Sequence, residues 1–359
     1  MSLRVSYKRQ TLLMILLVIV LFAAIEITLK VYDYFNPRCD FMKNPLSAHV
    51  NYELKKQICD MWRNHLVHID PTSGISQNIP NQHFPTMNIN SHGFRGPAIS
   101  QEKPEDTFRI FVVGGSTTFG IRALSDDQTI PGHLQTNFDK SNYNKKIKVV
   151  NAGIDAITST DELQLIKAKI VDFQPDLIII YDGHNDVANK PGKIKPKRND
   201  DIFEHVWKKY LTFYDTPFVI GGIVSKAKEP VQSFLFNTQE EDKAAIWKQN
   251  MIEICNLGQQ NGFKTLIFLQ PFLGTGNKTL TDFEKELYEF HFRDKLLQGY
   301  QLFAYELNDL DNYCTGTVDL RFAFDDINES VYFDGAHVGS DHNKIIADKI
   351  FDVASPLVE

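Results

Sequence analysis

Three residues in this sequence have the types and spacing of a nucleophilic site for acyl transfer. Ser116 follows the apolar run at residues 110–113 and two glycines, as expected for a buried parallel strand that delivers a hydroxyl to the edge of a sheet. A serine hydroxyl needs a base to remove its proton and a third group to orient that base. His337 is the candidate base, and Asp334 lies three residues before it, so a tight turn would aim the carboxylate at the imidazole. The sequence therefore predicts Ser116, His337 and Asp334 as catalytic residues.

Acyl transfer also requires hydrogen-bond donors aimed at the oxygen that becomes negative in the transition state. The candidate donors are the backbone N–H groups of Ser116 and Gly153 and the side-chain amide of Asn185. Each of them follows an apolar run of strand-forming residues. In open α/β sheets ligands bind beyond the carboxyl ends of the strands, so we expect the three donors to share one edge of a sheet.

The elements that must position these residues alternate between strands and helices. Buried strands are predicted at 110–113, 146–151, 175–181 and 263–271, with a short fifth strand at 318–320. Helices are predicted from about residue 130 and at 159–173, 240–260, 282–307 and 340–354. Ser159 and Glu162 have the spacing of a capping box at the start of the second helix. The alternation predicts an α/β fold with a central parallel sheet that helices cover on both faces.

From about residue 90 to the C-terminus the sequence resembles the SGNH (GDSL-like) hydrolase superfamily. Four blocks carry the resemblance: Gly114-Gly115-Ser116, Asn151-Ala152-Gly153, Gly183-His184-Asn185-Asp186 and Asp334-Gly335-Ala336-His337. The resemblance implies a flavodoxin-like three-layer α/β/α sandwich and hydrolysis of ester or related acyl bonds with neither a metal nor a cofactor. It also implies that Ser116 is the nucleophile, that Asp334 and His337 complete the triad, and that Gly153 and Asn185 serve the oxyanion hole.

Gly115 departs from the family pattern, which has an aspartate directly before the serine. The hydroxyl of Ser116 is kept, so the departure bears on the subfamily and the substrate. The Gly-x-Ser-x-Gly pattern of the α/β-hydrolases is not met either, because Thr118 occupies its last position.

An apolar segment near the N-terminus predicts a membrane anchor. As a helix, residues 12–29 would span roughly 27 Å, close to the thickness of a bilayer core. Arg4, Lys8 and Arg9 precede this segment, which favours a cytoplasmic N-terminus and a catalytic domain outside the cytoplasm. The alternatives are a cleaved signal peptide, although no clean small-x-small cleavage site follows the apolar core, and a buried helix of a soluble domain.

These features divide the chain into four parts: a cytoplasmic N-terminus (1–10), a transmembrane signal-anchor helix (11–30), an extracytoplasmic connector (31–100) and an SGNH-like hydrolase domain (101–359). The hydrolase domain carries an insertion at about 187–239, whose basic, proline-broken start is either a solvated loop or part of a cap near the site. In an oxidising compartment the pairs Cys39–Cys59 and Cys255–Cys314 could form disulfides, but the spacing does not fix the connectivity.

Charge and composition exclude other classes of function. The net charge of −7 argues against a nucleic-acid-binding protein, and the four cysteines lack the spacing of a zinc site. The expected partners are a small-molecule, glycan or lipid ester and the membrane; the oligomeric state is left open. The predicted function is that of a membrane-anchored serine esterase. The alternatives are an O-acyltransferase that passes the acyl group to a glycan, and a non-catalytic binding or assembly protein that keeps the fold.

Overall fold

The computed structural model describes residues 6–35, 39–70, 74–188, 237–290 and 294–358. Most of the predicted insertion at 187–239 therefore lies outside the described residues. The first 42 residues belong to a different compact unit from the α/β domain. Within them, helix α1 (Tyr7–Phe35) contains a candidate membrane span, Tyr7–Tyr32, with a mean hydropathy of 3.0. By length and composition this helix could cross a bilayer, and a signal sequence would meet the same criteria.

Short elements precede the main sheet. They are the helices α2 (Asp40–Lys43) and α3 (Tyr52–Asn64) and the strands β1 (Val67–Ile69), β2 (Ser76–Asn78), β3 (Gln82–Phe84) and β4 (Met87–Ile89). The strands form two antiparallel pairs, β1 with β2 and β3 with β4. Asn51 begins α3, because its side-chain oxygen accepts a hydrogen bond from the Leu54 N–H at 2.9 Å.

The main sheet has five parallel strands in the order β6-β5-β7-β8-β9. These are β5 (Thr107–Gly114), β6 (Lys146–Asn151), β7 (Leu177–Asp182), β8 (Lys264–Leu269) and β9 (Gly316–Asp319). The order β6-β5-β7 puts the strand that precedes Ser116 between the two strands that precede the other candidate donors. Every residue of β5 and β7 is buried, as expected for central strands of a parallel sheet covered on both faces.

Helices cover both faces of this sheet. They are α4 (Ser116–Phe119), α5 (Ile130–Asp139), α6 (Ser159–Ala168), α7 (His184–Ala188), α8 (Asn237–Asn261), α9 (Asp282–Phe290), α10 (Asp294–Asp309) and α11 (Ser340–Ala354). Alternate residues of β5 point to opposite faces. Phe111 packs in one apolar core with Trp247 of α8, whereas Ile110 packs in the other with Ile350 of α11. This three-layer arrangement confirms the predicted α/β fold.

One predicted boundary was wrong in detail. The capping box of α6 starts one residue earlier, at Thr158, whose side chain and backbone N–H both pair with Asp161 rather than with Glu162. Glu162 instead points into the protein and is fully buried. The helix expected at 282–307 is helical over α9 and α10, and residues 291–293 of it lie outside the described residues.

Cys255 of α8 is bonded to Cys314, which lies two residues before β9 and 59 residues further along the chain. None of the described cysteines is free. A cross-link of this length restricts the unfolded chain, which corresponds to about 4 kcal/mol on chain-entropy grounds.

We expect the double substitution Cys255→Ala/Cys314→Ala to lower the free energy of unfolding by about 2–4 kcal/mol, measured by chemical denaturation. The single substitution Cys314→Ala is the control, because it breaks the bond and keeps the buried Cys255 side chain in place. If the cross-link stabilises the fold, the single variant loses as much as the double variant. A loss confined to the double variant would assign the effect to packing of Cys255.

Candidate active site

Ser116 lies where the central strand β5 turns into the one-turn helix α4. Gly114 has no room for a side chain, because a Cβ atom there would lie 2.4 Å from the carbonyl oxygen of Tyr181 on the neighbouring strand. The turn of α4 closes at Gly120, whose φ of 87° is in the left-handed region that favours glycine. Ser116 is 8 % exposed, so its hydroxyl reaches the surface only at the carboxyl edge of the sheet.

The structure brings the three predicted catalytic side chains together. The Ser116 Oγ lies 2.7 Å from His337 Nε2. The other ring nitrogen, Nδ1, lies 2.9 Å from both carboxylate oxygens of Asp334. A base within hydrogen-bond distance of the hydroxyl, with a carboxylate on its far side, is the arrangement that activates a serine nucleophile.

Asp334 is held as an anion by the turn in which it lies. Its Oδ1 accepts hydrogen bonds from the backbone N–H groups of Ala336 and His337, each at 3.0 Å. Burial by itself would raise the pKa of Asp334, but the hydrogen bond and charge of His337 and the charge of Arg122 together hold that pKa far below its usual range. The carboxylate is therefore charged throughout the neutral range, as a group that stabilises an imidazolium must be.

Arg122, which the sequence did not single out, contacts the far side of this carboxylate. Its Nη2 donates to Asp334 Oδ2 at 2.9 Å. The guanidinium carbon lies 3.9 Å from the centre of the Trp62 ring, at a distance typical of a cation–π contact. Trp62 comes from helix α3 and donates through Nε1 to the Ile121 carbonyl at 2.5 Å. No local motif links Trp62 to Arg122 or Arg122 to Asp334, so this contact could not be found by pattern.

The side chain of Asn185 lies directly against the turn that carries Ser116. A Cβ atom on Gly115 would lie 2.5 Å from Asn185 Nδ2. The same nitrogen donates to the Ile157 carbonyl at 2.7 Å, which leaves its second N–H to face another acceptor. The Gly115 backbone is not in the left-handed region, so this glycine is required by the proximity of Asn185 and not by its backbone conformation.

Gly153 packs closely on the nucleophile helix, and its N–H is occupied. That N–H donates to Asn151 Oδ1 at 3.0 Å. A Cβ atom on Gly153 would lie 2.2 Å from the backbone nitrogen of Phe119. Gly153 therefore allows its backbone to lie close to that of Phe119. In this conformation its N–H is bonded to Asn151 Oδ1 and not to an open site.

The remaining polar residues of the third block have structural partners. Asp186 accepts from the backbone N–H of Ser159 at 2.9 Å and from its hydroxyl at 2.5 Å, which joins α7 to the start of α6. The ring of His184 lies 5.1 Å from that of Phe272, edge to face. Asp155 is exposed, and it interacts electrostatically with His337.

The segment before β5 supports the nucleophile helix from behind. Arg95 is buried, and its Nη1 donates to the carbonyls of Phe119 and Gly120 at 3.0 and 2.9 Å. Its Nε pairs with Asp126 at 2.7 Å. The His65 ring stacks on Phe119 at 4.8 Å, and burial lowers the pKa of His65 to about 4, so this ring is neutral near pH 7.

Three acids below the site are buried together: Glu162, Asp182 and Asp186. Asp182, at the end of β7, is only 1 % exposed. Neither oxygen of Glu162 has a hydrogen-bond partner among the described residues. Burial is the largest cause that raises the pKa of all three groups, and the charges of Asp182 and Asp186 raise that of Glu162 further, which favours a neutral Glu162 in the folded protein.

These raised pKa values predict that the fold loses stability as the pH rises. An unfolded glutamate loses its proton near pH 4, so above that pH the folded protein binds more protons than the unfolded chain and a higher pH favours unfolding. Glu162→Gln replaces the neutral carboxyl by a neutral amide of similar shape. We expect a smaller fall in the free energy of unfolding between pH 5 and pH 8, by about 1 kcal/mol or more.

The control for this measurement is Glu286→Gln, the same substitution at an exposed position of α9. Its pH dependence should match that of the unmodified protein. An unchanged slope in Glu162→Gln would mean that Glu162 is ionised in the fold.

Comparisons with known proteins identify a family and several similar solved structures. Residues 110–350 match the family model described as GDSL-like lipase/acylhydrolase. No curated protein matches the sequence. Similar solved structures include the acetyl xylan esterase AlAXEase (14 % identity over 68 % of this chain and 99 % of that one, TM-score 0.42). Others are TesA (16 % identity, 69 % and 99 %, TM-score 0.42) and the acetylxylan esterase Axe2 from Geobacillus stearothermophilus (14 % identity, 68 % and 93 %, TM-score 0.40).

The family match covers more than half of the chain, and it begins in the strand that leads to Ser116 and ends beyond His337. The chain belongs to the GDSL-like lipase/acylhydrolase family of the SGNH hydrolases.

Proposed function

We propose that this protein is a serine esterase that uses Ser116, His337 and Asp334 to cleave carboxylic esters through an acyl-enzyme. The observation that carries the proposal is the 2.7 Å contact between Ser116 Oγ and His337 Nε2, with Asp334 on the opposite ring nitrogen. His337 accepts the hydroxyl proton while Oγ forms a bond to the ester carbonyl carbon. The tetrahedral intermediate then expels the alkoxide, which takes that proton from His337. Water attacks the acyl-enzyme by the same route in reverse and releases the acid.

The negative oxygen of the intermediate needs donors close to Ser116. The Ser116 N–H lies in the first turn of α4, where no acceptor is available within the helix. The Asn185 amide has one N–H on the Ile157 carbonyl and a second N–H to offer. We assign these two as the main donors. Gly153 contributes its N–H only if the bond to Asn151 Oδ1 opens, and its close contact with Phe119 is the better-supported role.

We further propose that the catalytic domain lies outside the cytoplasm and is anchored by α1. The basic residues before the apolar segment favour a cytoplasmic N-terminus. The disulfide between Cys255 and Cys314 agrees with an oxidising compartment. The ester substrate would then be an extracytoplasmic small molecule, glycan or lipid.

Covalent labelling of the full-length protein in detergent by a fluorophosphonate probe tests the nucleophile. We expect labelling that Ser116→Ala abolishes, together with a loss of more than about 10³-fold in hydrolysis of p-nitrophenyl acetate. Ser100→Ala is the matched control, because Ser100 is an exposed serine outside the site, and its labelling should equal that of the unmodified protein. Labelling that survives in Ser116→Ala would refute the assignment, and its absence from the unmodified protein would favour the non-catalytic alternative.

The proximity of Gly115 to Asn185 makes a second prediction. In Gly115→Ala the new methyl group must displace the end of the Asn185 side chain, so we expect a fall in kcat of about tenfold or more, toward the loss of about 10² caused by Asn185→Ala. The measurement is a double-mutant cycle of kcat. Once Asn185 is alanine, the additional change Gly115→Ala should cost less than about twofold. Independent, multiplicative losses would mean that Gly115 acts on catalysis by another route.

A further inference from the structure

Arg122 is a buried cation whose partner is the carboxylate of the triad. Its side chain is 8 % exposed and ends 2.9 Å from Asp334 Oδ2. Its Nε and Nη1 atoms are buried and have no hydrogen-bond acceptor among the described residues. Asp334 is therefore the anion that compensates this guanidinium within the described chain, and a buried charge without such a partner is costly.

Aromatic rings fix where the guanidinium lies. The Trp62 ring is 3.9 Å from the guanidinium carbon, and the Phe333 ring is 5.7 Å from it. The bond from Trp62 Nε1 to the Ile121 carbonyl fastens this ring to the residue directly before Arg122. These rings confine the planar guanidinium of Arg122 so that its Nη2 points toward Asp334.

With Arg122 in contact, the two carboxylate oxygens of Asp334 accept hydrogen bonds from different donors. Oδ1 accepts from the Ala336 and His337 backbone N–H groups, and Oδ2 accepts from Arg122. Both oxygens then remain 2.9 Å from His337 Nδ1. Rotation of the carboxylate would break one of these bonds, so Arg122 restricts Asp334 to the orientation that faces the imidazole.

The same cation also changes the electrostatics around the base. Three charged groups act on His337: Asp334 from its own turn, Asp155 from the loop after β6, and Arg122 from the loop after α4 through its contact with Asp334. The two carboxylates stabilise an imidazolium, whereas the guanidinium opposes it. Removal of Arg122 would therefore remove the positive charge that opposes an imidazolium at this site.

We infer that Arg122, held by Trp62, is a positioning residue of the triad that orients Asp334 toward His337 and places a positive charge behind the carboxylate that opposes an imidazolium. The inference rests on the proposed esterase function. It also assigns a catalytic consequence to helix α3, which precedes the family match.

The test is the pH dependence of kcat/KM between pH 4.5 and 9 for the full-length protein and for the variants Arg122→Met, Arg122→Lys and Trp62→Phe. The acid limb of this profile reports protonation of the base in the free enzyme. In Arg122→Met we expect that limb to move to higher pH by about 0.5 to 1 unit, with a fall in kcat of about tenfold and little change in KM. Arg122→Lys keeps the charge and should keep the position of the limb. Trp62→Phe keeps a ring but loses the bond to Ile121, so it should give a smaller shift in the same direction.

Arg321→Met is the matched control, because it breaks an Arg–Asp pair, with Asp319 at 2.7 Å, that does not include a triad residue. Its acid limb should not move. The inference is overturned if Arg122→Met lowers activity equally at every pH, since loss of folded protein changes the height of the profile and leaves the limb in place. The rate of fluorophosphonate labelling against pH gives the same readout without an ester substrate. If Arg122→Met labels normally and its acid limb does not move, the role of Arg122 is refuted and the esterase function is not. If the unmodified protein does not label, the esterase function itself is refuted.

Discussion

The position of the nucleophile depends on backbone segments that approach each other too closely for any side chain to fit between them. Gly114 lies against the Tyr181 carbonyl of the next strand, Gly115 against the end of Asn185, and Gly153 against the backbone of Phe119. These contacts join the ends of β5, β6 and β7, whose order in the sheet is β6-β5-β7. A displacement of one strand end would therefore move the other two. Close packing of this kind transmits a misfit directly, because the interior has no voids to absorb it.

This constraint explains why Gly115 replaces the aspartate of the family pattern without loss of the hydroxyl. A side chain at this position would project onto Asn185 Nδ2. The Asn185 amide is already fixed on its other side by the Ile157 carbonyl. Gly115 and Asn185 therefore constrain each other sterically. The glycine in place of the family's aspartate reflects how closely the segment after β7 lies on the turn that carries Ser116.

Acids near the carboxyl edge of the sheet have opposite protonation tendencies, and the cause is their partners. Asp334 is largely buried, but it faces His337, Arg122 and two backbone N–H groups, which lower its pKa. Glu162 is buried without a hydrogen-bond partner among the described residues, and burial and the charges of Asp182 and Asp186 raise its pKa. One environment yields an anion beside His337, and the other yields a neutral carboxyl at Glu162. When the environments of two acids move their pKa values apart in this way, the same functional group can have different roles in one fold.

The sequence was sufficient for those parts of the site that follow a strand or lie within one turn. Ser116 follows a buried strand, Asp334 and His337 are three residues apart, and each leaves a local pattern in the chain. Trp62, His65 and Arg95 leave none, because each meets the nucleophile helix or the loop after it from 24 to 60 residues away, through a single ring or guanidinium. Periodicity reports which face of an element is buried, but it does not report what that face contacts. The capping box shows the same limit on a smaller scale, since Thr158 and Ser159 both fit the pattern and tertiary burial of Glu162 decides between them.

Because of these long-range contacts, the structural unit that holds the site begins before residue 100, where composition suggests a domain boundary. The family match begins at residue 110, yet the C-terminal end of α4 is held by Arg95 and the triad carboxylate is held through Trp62 and Arg122. A chain that started at the family match would keep Ser116, Asn185, Asp334 and His337 and would lose the groups that restrain them. The four blocks therefore contain the predicted site residues. Trp62 and Arg95, in the segment at 43–100, determine how firmly those residues are held. Members of one family can share every block and still differ in how the carboxylate of the Asp-x-x-His block is held, because that contact depends here on a cation and a ring that lie outside the blocks.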